Sequence, residues 1–257
     1  MGRLYGEIAP AMFDRIKKVF SRHAWPTAAD SSADAGRFAY APVSQWAATQ
    51  GFAFADGRAR QAFSVTGRVA DKRWRLELGP PSRSYILGEE LRARADLGDD
   101  SELAVLVMSR GLKEMLQKQA DQLPQHAPQA HSQRPLGEEL RWLSQYPEVD
   151  WIGPSLQFWS RFAVMAGARE QAVEWLGADL VRQLMSWPLP GASHEVPFVL
   201  LLLHGKVYLR MEYRPADLPT LQHAAAIFTT ACEGAAVMLA QSAGAQGQAP
   251  RAGSVTH

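Results

Sequence analysis

Apolar and polar positions along this chain follow two rhythms. The clearer one has period two. Phe63, Val65, Gly67 and Val69 alternate with Ser64, Thr66, Arg68 and Ala70, and after Asp71-Lys72 the residues Trp74, Leu76 and Leu78 alternate with Arg73, Arg75 and Glu77. Such alternation places successive side chains on opposite faces of a strand. The stretch therefore predicts a β-hairpin with one buried and one wet face, stopped by Gly79-Pro80-Pro81. A second hairpin is predicted from Phe198–Leu203 to Val207, Leu209 and Met211, around His204-Gly205-Lys206. Its first arm is apolar on both faces, which suits a central strand. Shorter strands are expected at 52–55, at Tyr85-Ile86-Leu87, at 91–97 and in the apolar run 103–108. Alternation of Phe158, Ser160, Phe162 and Val164 favours one more over 156–165.

The other rhythm is helical. Met12, Ile16, Val19 and Phe20 make one apolar stripe over 10–22. Helices are predicted at 42–50, with Pro42 near the start and Gly51 past the end, and at 112–123, 138–146 and 170–187, the last bent or split at Gly177. Leu221, Ala225, Phe228, Cys232, Ala235 and Leu239 carry a long helix from about Asp217 to Gln241. No continuous apolar run approaches the ~20 residues that span a bilayer, and the start lacks the apolar core of a secretory signal.

These elements predict an α+β fold, an antiparallel sheet built from hairpins with flanking helices. Five parts are expected: an amphipathic N-terminal helix within 1–24, an α+β half at 37–121, a flexible linker at 122–137, a second α+β half at 138–242, and a disordered tail at 243–257. The halves share a coarse order of elements but no repeated residue motif.

Composition adds one thing to this picture. The chain of 257 residues has 27 basic and 26 acidic side chains, a net charge of +1. That excludes a globally basic nucleic-acid binder. Charge is nonetheless segregated, with nine bases against four acids between residues 58 and 94, and five bases against ten acids between 95 and 150. The predicted strands would set Arg68, Arg73, Arg75, Arg92 and Arg94 on one sheet face. Such a face is a candidate site for an anionic partner. Pairing with Glu77, Glu90 and Asp96 would instead make it an ordinary solvated surface. Trp74 alternates to the opposite side, so stacking aromatics are poor there and nucleic acid is disfavoured as a partner. Arg15, Lys17, Lys18 and Arg22 flank the first apolar stripe and are candidates for contact with an anionic membrane surface.

Chemistry-bearing motifs are sparse. The seven histidines include no pair at ligand spacing, and one cysteine, Cys232, excludes a multi-cysteine site, so no metal and no cofactor are expected. No nucleophile elbow and no phosphate-binding glycine loop occur. The acidic pairs Glu89-Glu90, Asp99-Asp100 and Glu138-Glu139 read as solvated turn or cap residues. Trp142, Trp151, Trp159, Trp175 and Trp187 cluster in sequence and could fill a core or, with His194 and Glu195, line a pocket.

Trp46 to Phe54, Tyr85-Ile86-Leu87-Gly88-Glu89-Glu90-Leu91, and Phe158 to Val164 followed by the helix at 170–187 resemble uncharacterised bacterial proteins classed as a domain of unknown function. The resemblance implies an α+β fold and brings no reaction, cofactor or catalytic residue; such proteins often look membrane-associated. The reading leans against an enzyme, and no catalytic residue is assigned. It favours a cytoplasmic binding or assembly protein, with a protein partner and an open oligomeric state. The alternatives are a protein peripheral to the inner membrane, using the basic helix and the arginine face, and an enzyme whose site follows no motif.

Overall fold

The computed structural model describes residues 40–57, 62–98, 102–122, 137–188 and 196–247. The segment with Arg15, Lys17, Lys18 and Arg22, most of the expected linker, and His194-Glu195 lie outside the described residues. The elements run α1 (Ala41–Thr49), β1 (Ala53–Asp56), β2 (Phe63–Val69), β3 (Lys72–Gly79), β4 (Glu90–Asp96), β5 (Ala104–Ser109), α2 (Arg110–Asp121), α3 (Gly137–Gln145), α4 (Leu156–Arg161), β6 (Phe162–Ala166), α5 (Arg169–Leu176), α6 (Ala178–Met185), β7 (Phe198–Leu203), β8 (Lys206–Glu212) and α7 (Leu218–Gly247).

The fold is α+β. All eight strands join one antiparallel sheet in the order β1-β2-β3-β4-β8-β7-β5-β6, so both halves of the chain share a single sheet. The crossover is made by β5, which leaves the first half and pairs between β7 and β6 of the second. Both predicted hairpins form, each through a two-residue turn with positive φ: Ala70 and Asp71 at 46° and 60°, His204 and Gly205 at 48° and 69°. That backbone twist matches the twist of the flanking strands.

One face of the sheet is covered along its length. Trp74, Leu76, Leu91, Val105, Val164, Leu200 and Leu209 bury there against α1, α5, α6 and α7. Among the described residues the opposite face is covered at the β7-β5-β6 end, where Leu106, Met108, Met165 and Leu201 meet Leu112 and Leu116 of α2 and Leu140, Trp142 and Leu143 of α3, and at the Glu90 end of β4, where the 82–85 loop lies over it. This explains why β5 and β7 are apolar on both faces while β3, β4 and β8 alternate. At the β6 edge, the backbone of 147–149 pairs with the strand: Val149 N donates to Val164 O at 2.8 Å and Ala166 N to Pro147 O at 3.2 Å, which blunts an otherwise open edge.

Three expectations are corrected. Tyr85-Ile86-Leu87 is a turn and loop, with Tyr85 and Ile86 buried and Leu87 exposed. The strand expected over 156–165 is a helix, α4, followed by a short strand, β6; Phe158 N donates to the Ser155 side chain at 3.2 Å and starts the helix. The last helix continues to Gly247, five residues into the segment expected to be a disordered tail. Averaged over its length, Leu218–Ser242 of this helix is long and apolar enough to cross a membrane, although no continuous apolar run suggests it, because alanines separate the larger residues; half of it is buried inside the fold.

Candidate functional site: an arginine-bearing sheet face beside an apolar wall

The strand registers fix what lies beside what on the uncovered face. In one row across the sheet, Thr66 of β2 is followed by Arg75 of β3, Arg94 of β4, Tyr208 of β8 and Leu201 of β7. In the next row come Ser64, Glu77, Arg92, Arg210 and Val199. The face passes from polar to cationic to apolar within a few strand spacings of about 4.8 Å each. Arg68, Arg73, Arg75, Arg92 and Arg94 thus do share one face, and β8 adds Arg210 and Lys206.

Three arginine pairs sit directly opposite each other on neighbouring strands: Arg68 with Arg73, Arg75 with Arg94, and Arg92 with Arg210. Like charges at such positions repel, typically by about 0.2–1 kcal/mol per pair. Part of the repulsion is relieved locally. Glu77 lies 3.2 Å from Arg75 and 3.3 Å from Arg92, Arg68 donates to the Asp71 carbonyl at 2.7 Å, and Asp96 is 3.9 Å from Lys206. Arg73 and Arg94 are exposed, and neither forms an ion pair with a carboxylate among the described residues.

Of the acidic pairs, Asp99-Asp100 lies outside the described residues, Glu89 and Glu138 are exposed as expected, and one member of each of the other two pairs departs from expectation. Glu90 and Glu139 are fully buried, not solvated. Glu139, on α3, takes a hydrogen bond from Arg83 Nε at 2.6 Å, from Arg210 Nη1 at 2.9 Å and from the Tyr85 hydroxyl at 3.0 Å. Glu90 lies 2.6 Å from Arg210 Nε and accepts from Ser82 through both its backbone N–H and its hydroxyl. Arg83 also pairs with Glu138. Burial, and then the Glu139 charge, hold the Tyr85 hydroxyl well above the usual tyrosine range, so it stays a donor. This network pins α3 and the 82–85 loop to β4 and β8. It joins residues more than fifty positions apart, which is why local periodicity gave no sign of it.

With α3 held there, two adjoining concavities form on the arginine face. One, of about 510 Å³, is bounded by Arg75, Arg92, Arg94 and Arg210 on one side and by Trp142, Leu201, Leu203 and Val199 on the other, with Glu77, Glu138 and Arg141 at its rim. Its neighbour, of about 550 Å³, shares Arg75, Arg94 and Tyr208 and extends to Arg73 and Lys206. Sequence reasoning missed Arg210, Arg141, Tyr208, Leu201 and Leu203, and named Trp142 as a pocket candidate but with other tryptophans, not with the arginines. Arg210 and Tyr208 carried a signal, since they alternate with Val207, Leu209 and Met211; the α3 residues carried none.

Other candidates do not converge. The tryptophans are spread over both sides of the sheet: Trp175 is buried, Trp151 and Trp159 meet edge to face, Trp187 packs on His223, and Trp142 lies on the arginine side. Cys232 is buried in α7, and burial pushes its thiol far up, away from reactivity. Among the described residues, no three His, Cys, Asp or Glu side chains are placed to hold a metal.

No family model and no curated protein matches the chain. Among solved structures it is similar to the mycobacterial trehalose monomycolate transport factor A, TtfA, at 10% identity and a TM-score of 0.38, over 74% of this chain and 92% of that one. At that score the likeness carries neither fold nor function across.

Proposed function

We propose that this is a non-catalytic binding protein whose binding surface is the arginine face, and that its partner is anionic. The observation that carries this is the stacking of three arginine–arginine pairs across β2, β3, β4 and β8, with Arg73 and Arg94 left without an ion pair among the described residues. A sheet gains nothing in its own stability from such an arrangement. An anion set between the strands turns the repulsion into charge-assisted hydrogen bonds, which arginine makes in bidentate geometry.

The test is the thermal midpoint of the full chain in pyrophosphate and in sodium chloride at matched ionic strength. Pyrophosphate is expected to raise the midpoint beyond chloride, because a ligand that binds only the folded state stabilises it. The double variant Arg73→Gln, Arg94→Gln is expected to lose that difference while remaining folded. If the variant and the parent respond alike, the arginine face is not the anion site.

A further inference from the structure

The groove has a second half that an anion alone does not use. We infer that its ligand is a single-chain anionic amphiphile, with the head group on the arginines and a hydrocarbon chain against the wall made by β7 and α3. This rests on the reading of the arginine face as an anion site and names the kind of anion.

The register supplies the geometry. Arg94, Tyr208 and Leu201 are consecutive neighbours across β4, β8 and β7, so about 10 Å of sheet separates the guanidinium row from the apolar row. Leu203 stands opposite Lys206 one row along, and Val199 opposite Arg210. Trp142 rises over these residues from α3, and the three apolar strand residues with Trp142 line the same 510 Å³ concavity as Arg75, Arg92 and Arg94. That volume suits a small molecule, within the usual range of about 300–1,000 Å³. Tyr208, 39% exposed, lies at the boundary, with a ring for the chain and a hydroxyl for the head.

Charge decides where the head would lie. Arg92 and Arg210 are engaged with Glu77, Glu90 and Glu139. On the sheet, Arg94 is the arginine of this groove without an ion pair to a described carboxylate, and Arg73 is its counterpart in the adjoining concavity; Arg141, on α3 at the rim, forms none either. A fully polar anion such as phosphate would leave Leu203 and Trp142, the half-buried part of the β7–α3 wall, wet. An uncharged chain would leave the arginines repelling. Only a molecule carrying both parts satisfies both halves.

The experiment is equilibrium dialysis of the full chain against decyl phosphate below its micelle concentration, with inorganic phosphate, decanol and a poly-glutamate peptide as separate arms. Decyl phosphate is expected to bind at least about ten-fold more tightly than any of the others. Arg94→Gln is expected to weaken it by about ten- to hundred-fold, the loss of a charge-assisted contact. Leu203→Ser, at a half-buried strand end, is expected to weaken decyl phosphate but leave phosphate binding unchanged. Equal binding of phosphate and decyl phosphate, with Leu203→Ser silent, overturns the amphiphile and leaves the anion site standing. Equal binding of decanol, with Arg94→Gln silent, overturns both. Tighter binding of poly-glutamate assigns the face to an acidic protein segment and overturns the amphiphile, as does binding by none of the four; pyrophosphate stabilisation then decides separately whether the anion site stands.

Discussion

Replacing Glu139 tests whether the buried ion network holds α3 in place. Its carboxylate is 0% exposed and lies within 3.0 Å of two guanidinium groups and a buried hydroxyl. In Glu139→Gln the amide oxygen still accepts a hydrogen bond, but the negative charge is gone. The two guanidinium bonds then lose the anionic partner and the Tyr85 bond becomes neutral on both sides, a difference of about 1 kcal/mol each, so about 2–3 kcal/mol in all. Neither arginine is stranded, because Arg83 keeps Glu138 and Arg210 keeps Glu90, so the loss stays at the lower end for a broken buried pair. Glu139→Ala also strands the Tyr85 hydroxyl and leaves a void, and about 3–5 kcal/mol is expected. The control is Glu138→Gln, whose side chain is 60% exposed and whose pair is worth at most about 1 kcal/mol. Equilibrium urea unfolding reads the difference directly: with a slope of about 2–3 kcal/mol per molar, Glu139→Gln is expected to lower the midpoint by about 1 M. A loss at Glu139 no greater than at Glu138 would refute the view that the buried carboxylate organises this face.

Further predictions concern packing and pH. A Cβ at Gly67 would lie 2.6 Å from the buried Trp74 ring, so Gly67→Ala is expected to cost about 1–3 kcal/mol in urea unfolding; Gly111→Ala in α2, with nothing within 4 Å, is expected to be neutral or mildly stabilising. Burial lowers the pKa of His223 despite its 2.8 Å hydrogen bond to the Gln183 carbonyl. The folded state thus binds this proton less readily than the unfolded chain. Stability is full above the unfolded value of about 6.5 and falls with pH until the lower folded value is passed. His223→Gln should flatten the thermal midpoint between about pH 7 and 5, and an unchanged slope would show that another group sets it. Glu148 has its pKa lowered because the hydrogen bonds from Lys113 and Arg110 outweigh its burial. Its contribution is therefore held above the unfolded value of about 4.3 and lost as pH falls through the folded one; Glu148→Gln should reduce the acid-side loss of stability.

The parts of the fold that were legible are those where one local rule was enough. Both hairpins show period-two alternation and a turn whose residues tolerate positive φ, and both form. The split of 170–187 followed from Gly177, whose φ is +25° between α5 and α6. Phe158 and Phe162 misled because four residues is both twice a strand period and one helical turn; the Ser155 cap settles it as helix. Glu90 shows the other limit. Its side chain points to the arginine side, as alternation implies, yet it is buried because the 82–85 loop folds over it, and no periodicity within β4 encodes that loop. Five of the six arginines on this sheet face followed from the alternation in β2, β3 and β4, with Arg210 left out, whereas the apolar wall depended on α3 docking across more than fifty positions of chain.

The segregation of charge along the chain acquires a meaning from these contacts. Among the described residues the acidic stretch meets the basic one by ion pairs at one place, where Glu138 and Glu139 take Arg83, while Arg210 from β8 joins Glu139. Elsewhere Glu148 takes Arg110 and Lys113 within the acidic stretch, and Asp96 lies beside Lys206 of β8. The basic strands therefore keep an excess that nothing described neutralises, centred on Arg73 and Arg94. Had the acids simply been distributed to cancel the arginines, Glu139 would face Arg94 and the groove would be closed and neutral. Placed at the far side of the row, on Arg83 and Arg210, the same carboxylate fixes α3 as the apolar wall and leaves the near arginines open. One buried charge thus both builds the groove and preserves its polarity. That predicts a coupling: Glu139→Gln should weaken decyl phosphate binding without touching a residue of the head site, and binding unchanged while stability falls would show that the wall takes no part.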